Sequence, residues 1–127
     1  MTVNQKTISK DVSLEGIGLH TGNKVSMTFK PAPVNSGFTF VRTDLEGQPA
    51  IEALACYVTD TQRGTNIEKN GVVINTSEHV LAALVGLDID NIIIEIDAPE
   101  PPIMDGSSKF FVEALEEAGI EEQDAER

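Results

Sequence analysis

Apolar residues alternate with polar ones along several short segments before residue 75, and this period of two is typical of half-buried β-strands. The clearest segments are 6–15, 25–31 and 37–42. Asn-Gly lies between the segments 64–68 and 72–74, and this dipeptide predicts a hairpin because both residues tolerate positive φ. The first part of the chain is therefore predicted to build a mostly antiparallel sheet.

A helix start interrupts this pattern at residues 75–84. Three capping residue types precede an apolar run there, and that run covers most of the helix circumference, which predicts a buried helix. Residues 91–97 are apolar on both faces, as in a central strand. A second helix is predicted from Ser107 or Ser108 to Gly119. The predicted class is α+β, with two helices packed on one face of the sheet.

The composition limits the range of functions. The 127 residues carry a formal net charge of −12 and show no basic stripe, which argues against nucleic-acid binding. No apolar run approaches the about 20 residues of a membrane span, and the start of the chain lacks the apolar core of a signal peptide. The single cysteine, Cys56, is expected to be a small core residue, and a reducing cytoplasm is the simplest compartment. We expect one domain over 1–120, followed by an acidic linker or tail over 121–127.

Glu78 and His79 fall in the first turn of the predicted helix, beside its unpaired N–H groups. The helix dipole favours Glu78 as an anion and His79 as a neutral imidazole, which suits a general base and a metal ligand. The alternative is an acidic first-turn residue next to a partly buried histidine. Since catalytic zinc normally takes three protein ligands, this chain is predicted to supply only part of any such site.

Two further residues have both functional and structural interpretations. His20 lies in the glycine-rich stretch 16–23, where it is either a ligand or substrate contact or a turn histidine bonded to its own loop. Asp105 precedes Gly106 and a predicted helix start, so that capping or a turn is its ordinary role.

Several stretches together resemble one family, the zinc-dependent UDP-3-O-acyl-N-acetylglucosamine deacetylases of lipid A synthesis in Gram-negative bacteria. The resemblance runs from about residue 5 to 120 and rests on the order and spacing of these motifs. They are Gly16-Ile17-Gly18-Leu19-His20-Thr21-Gly22, Pro31-Ala32-Pro33, Arg42-Thr43-Asp44, Glu78-His79, Ala82-Ala83-Leu84, Asp90-Asn91-Ile92 and Pro101-Pro102-Ile103-Met104-Asp105-Gly106-Ser107.

The resemblance implies a protein of two similar domains with the active site between them. It implies that Glu78 is the general base and His79 a zinc ligand. The other ligands, a histidine and an aspartate, and a second histidine acting as general acid, would come from the other domain. Leu19 and the Arg63-Gly64 bend resemble the segments that the family places near the reactive end of its substrate, a UDP-linked acylated glucosamine. The resemblance therefore implies that Leu19, Arg63 and Gly64 bind substrate.

We therefore expect the amino-terminal domain of such an enzyme, with an incomplete Zn²⁺ site, the second domain absent and no activity on its own. An apolar patch is expected where the second domain would dock, giving self-association of the isolated domain. The alternative is a non-catalytic binding or interaction domain with the same fold.

Overall fold

The computed structural model describes residues 3–18, 22, 24–52, 58–61, 64–69, 71–74, 78–102 and 109–126. The elements run in chain order as follows: β1 Asn4–Ile8, β2 Val12–Ile17, β3 Lys24–Pro31, β4 Phe38–Arg42, β5 Ala50–Glu52, β6 Val58–Thr61, β7 Gly64–Lys69, β8 Val72–Ile74, α1 Glu78–Gly86, β9 Ile92–Ile96, α2 Lys109–Ala118 and β10 Ile120–Glu126.

The largest sheet has five strands in the order β2-β3-β9-β4-β5. Only the β4–β9 pair among these is parallel, and the other neighbours are antiparallel. β9 lies in the centre, as its apolar residues on both faces predict. Ile92, Ile94 and Ile96 point into the core and are fully buried, whereas Ile93 is half-buried on the opposite face.

One face of this sheet and both helices enclose a single core. Val25, Met27 and Phe29 of β3 are fully buried, as the alternation predicts. The register places Phe29 and Phe40 on either side of Ile94, so that three strands contribute to one apolar layer. The helix residues that pack on this layer are Val80, Ala83, Leu84, Phe111, Leu115 and Ala118. The predicted α+β class, with two helices on one face of a mostly antiparallel sheet, is confirmed.

Two smaller sheets flank the large one. β6, β7 and β8 form an antiparallel sheet in that order, which confirms the hairpin predicted around Asn-Gly, with Gly71 at φ +80°. β1 pairs with β10 in a two-stranded sheet. In the described part of the chain, no helix is long and apolar enough to cross a membrane.

The structure corrects three predictions. Residues 6–15 form two strands in different sheets, β1 and β2, because the chain turns at Ser9 and Lys10. Residues 121–126, expected as an acidic linker or tail, belong to β10, because their backbone pairs with β1. The first helix is not buried all round, since Val85 is 65% exposed.

Candidate active site

The candidate site is built around the start of α1. Glu78 is the first residue of this nine-residue helix and His79 is the second, with a half-buried side chain. Both residues therefore lie in the first turn, where the backbone N–H groups have no partner within the helix and the dipole is positive. The two residues are adjacent at this one end of the helix.

The three-stranded sheet leads directly to this helix. β8 ends at Ile74, which is fully buried, and α1 begins four positions later. Gly64, a predicted substrate-binding residue, is the first residue of β7 and lies opposite Thr61 on β6. β7 contacts α1. The elements that carry Gly64, Glu78 and His79 are thus neighbours in the fold.

The other predicted site residues, Leu19, His20 and Arg63, lie outside the described residues, as do Cys56 and Asp105. Gly18, the residue before Leu19, is described by the structure and forms an isolated antiparallel bridge with Pro102. Both residues of this bridge are buried. The glycine-rich motif is therefore joined to the proline-rich motif that follows β9, although the two are far apart in the sequence.

Among the residues that the structure describes, the imidazole of His79 could bind a metal ion at this site. Among the residues that the structure describes, no group of three or more histidine, cysteine, aspartate or glutamate side chains could hold a metal ion. His79 fits as one ligand of a zinc ion. A zinc ion bound by His79 would take its further ligands from outside the described residues.

A partly buried ion pair lies close to these elements, within the Arg42-Thr43-Asp44 motif, where the side chain of Arg42 is 8% exposed and that of Asp44 is 30% exposed. Arg42 at the end of β4 is 7% exposed and bonds both carboxylate oxygens of Asp44, from Nε at 2.9 Å and from Nη2 at 2.7 Å. These hydrogen bonds from Arg42 hold the pKa of Asp44 below its usual value. Arg42 also donates from Nη1 to the backbone carbonyl of Val73 on β8, at 2.9 Å. The sequence indicates the inward position of this arginine, because Arg42 continues the two-residue spacing of Phe38 and Phe40 along the strand.

The chain is similar to deacetylases along almost its whole length. A family model described as UDP-3-O-acyl N-acetylglycosamine deacetylase matches residues 5–127. A bifunctional enzyme LpxC/FabZ of Chlorobaculum tepidum is 56% identical over 124 residues, which are 98% of this chain and 27% of the relative. A UDP-3-O-acyl-N-acetylglucosamine deacetylase of Myxococcus xanthus is 50% identical over 96% of this chain and 39% of its own length.

A third relative, the UDP-3-O-acyl-N-acetylglucosamine deacetylase of Shewanella halifaxensis, is 52% identical over 95% of this chain. The match covers 40% of that relative, so the chain spans well under half the length of these relatives. The family model nevertheless covers the described sheets, both helices and the Glu78-His79 pair. The chain therefore belongs to the UDP-3-O-acyl-N-acetylglycosamine deacetylase family.

Proposed function

We propose that this chain is the amino-terminal part of a zinc-dependent deacetylase that removes the N-acetyl group of UDP-3-O-acyl-N-acetylglucosamine in the cytoplasmic steps of lipid A synthesis. The observation that carries the proposal is the place of Glu78 and His79 at the start of α1, in a chain that matches the family over residues 5–127. The relatives' names supply the substrate.

In the proposed reaction, water attacks the acetyl carbonyl carbon, the C–N bond breaks, and acetate and the free 2-amine of the sugar are formed. Glu78 accepts a proton from the attacking water, and the proton that the amine needs comes from a general acid outside this chain. His79 is the zinc ligand that this chain supplies, through a ring nitrogen. When bound, zinc supplies polarisation of the carbonyl and acidification of the water.

The division of the site between two parts of a longer polypeptide follows from the same proposal. His79 is one ligand, and the relatives are two to four times as long as this chain. We therefore expect the isolated chain to be inactive and to bind zinc weakly. Calorimetric titration with zinc, of this chain alone and after mixing with a separately produced second part, tests this expectation. Tight zinc binding by the chain alone would contradict this expectation and would indicate His20 as a further ligand.

The decisive test is Glu78→Ala in the complete gene product. We expect kcat for acetate release to fall about 10²- to 10⁴-fold, because removal of a positioned general base has this effect, while zinc content is retained. Glu113→Ala is the matched control, since it removes the same carboxylate from an exposed position on α2. Near-normal turnover of Glu78→Ala would refute the assignment of the base. A wild-type protein that binds the UDP-sugar and releases no acetate would instead support the non-catalytic binding domain.

A further inference from the structure

Arg42 is a cation on the core side of the five-stranded sheet. Its neighbours on the same face of β4 are Phe38 and Phe40, and the register places it beside Ile96 of β9. Arg42 is 7% exposed, whereas Phe40 and Ile96 are fully buried. Because a buried charge is costly unless it is paired and hydrogen-bonded, this position requires a specific set of partners.

The partners use every nitrogen of the guanidinium. Nε and Nη2 form the two parallel hydrogen bonds to Asp44, a geometry that fixes the plane of the guanidinium group. Nη1 is then directed away from Asp44 and donates to the carbonyl of Val73. A lysine could not make these three bonds in one plane, because its ammonium is a single point of charge.

The bond to Val73 crosses from one sheet to another. β8 is at the edge of the three-stranded sheet, and it has only three residues. Val73 pairs with Glu68 of β7 on one side, and Arg42 approaches it from the large sheet. Five positions after Val73 comes Glu78, and Gly64 begins the middle strand of the same sheet. Arg42 therefore joins the rigid core to the sheet that leads to the candidate site.

We infer that Arg42, oriented by Asp44, is a positioning residue for the deacetylase site, which holds β8 and through it the start of α1 in place. This inference rests on the proposed function. In this role Arg42 acts through Val73, the residue of β8 to which it donates a hydrogen bond. A purely structural ion pair would contribute to stability alone, and the two interpretations predict different kinetics.

The test compares Arg42→Lys and Asp44→Asn with two controls in the complete gene product. Lys30→Gln breaks an ion pair of the same sheet, the 3.1 Å contact between Lys30 and Glu95 on the opposite face. Ile8→Val removes one methylene from a fully buried residue of β1. It is the control for the loss of stability that the Arg42 and Asp44 variants suffer. We expect kcat to fall about 10- to 100-fold in both Arg42→Lys and Asp44→Asn, since displacements of about 1 Å have effects of this size. Both controls should retain kcat.

A second measurement does not depend on activity. Amide hydrogen exchange over Val72–Ile74 should be faster in Arg42→Lys than in Ile8→Val at an equal loss of melting temperature, because β8 has lost its link to the core. If kcat and exchange in Arg42→Lys both equal those of Ile8→Val, the positioning role is overturned while the proposed function stands. A wild-type protein that releases no acetate overturns the proposed function, and with it the role of Arg42 in the reaction.

Discussion

At the scale of single residues, the junction of β1, β9 and β10 depends on one buried amide. Asn91 is 2% exposed and donates from Nδ2 to the side-chain carbonyls of Gln5 at 2.8 Å and Gln123 at 2.7 Å. Its Oδ1 accepts from the backbone N–H of Gly37 at 2.9 Å. Gln5 and Gln123 in turn donate from their own Nε2 atoms to the backbone carbonyls of Glu126 and Ala32, respectively. Neutral groups in this network satisfy one another without the cost of a buried charge.

Asn91→Asp should therefore be strongly destabilising although the side chain keeps its shape. The substitution removes both donors and places a carboxylate oxygen against two carbonyl oxygens. We expect the free energy of unfolding to fall by on the order of 3 kcal/mol, measured by urea denaturation. Asn35→Asp is the control, because exposed Asn35 accepts a hydrogen bond from Gln5 through Oδ1, an atom that aspartate retains. Equal stability of the two variants would show that the network contributes nothing specific.

At the scale of elements, β10 shows why one part of the fold was not predicted. Its sequence, Ile-Glu-Glu-Gln-Asp-Ala-Glu, contains too few apolar residues to give a period of two, and its charge is typical of a solvated tail. The strand is instead held by backbone pairing with β1 and by Gln123. The register shifts between Asn4 and Lys6, at the part of β10 where Gln123 lies. Backbone pairing and amide hydrogen bonds leave no periodic signal, whereas β3, β9 and α2 were predictable because their burial is apolar.

The turn between α2 and β10 depends on Gly119. It has φ +86°, and its N–H bonds the carbonyls of Leu115 and Glu116 at the helix end. A Cβ at this position would lie 3.2 Å from Oγ of Ser9. We expect Gly119→Ala to lower the free energy of unfolding by about 1 to 2 kcal/mol, since a left-handed backbone disfavours alanine.

The matched control for Gly119→Ala is Gly86→Ala at the end of α1. Gly86 does not have a positive φ, and a Cβ there would meet no atom within 4 Å. This substitution should be neutral or stabilising by up to about 1 kcal/mol, because alanine is the better helix former. Thermal denaturation of both variants measures the difference, and a larger loss for Gly86→Ala than for Gly119→Ala would contradict the conformational explanation.

At the scale of the whole molecule, the two helices have different exteriors. Over residues 79–86, the part of α1 whose burial the structure describes, the exposed residues are Ala82, Val85 and Gly86, and none of them is polar. The outer side of α2 carries Lys109, Glu113, Glu116 and Glu117, and Phe110 is 36% exposed. A solvated helix normally has a polar outer face, which α2 has and which residues 79–86 of α1 lack.

The candidate site could be predicted from the sequence only in part, and for a physical reason. Helix-capping residues ahead of an apolar run locate Glu78 and His79, because capping is a local property. The contribution of Arg42 depends on a contact between two sheets, and no local pattern indicates which carbonyl a guanidinium will reach. The roles of all the site residues stay predictions: Glu78, His79, Gly64, Leu19, His20 and Arg63. When a site is assembled from distant segments of a polypeptide, the sequence of one segment can indicate only an incomplete set of ligands.

The exposed apolar residues of α1 predict that the isolated chain associates with itself. At a salt concentration that screens the net charge of −12, we expect the isolated chain to self-associate through this surface. Val85→Glu should shift the chain to monomer in sedimentation equilibrium, because a charge would be buried in the contact. Ile17→Glu is the control, since Ile17 is 51% exposed on β2 and lies outside α1. A wild-type chain that stays monomeric at high concentration would show that the exposed face of α1 is too small to drive association by itself.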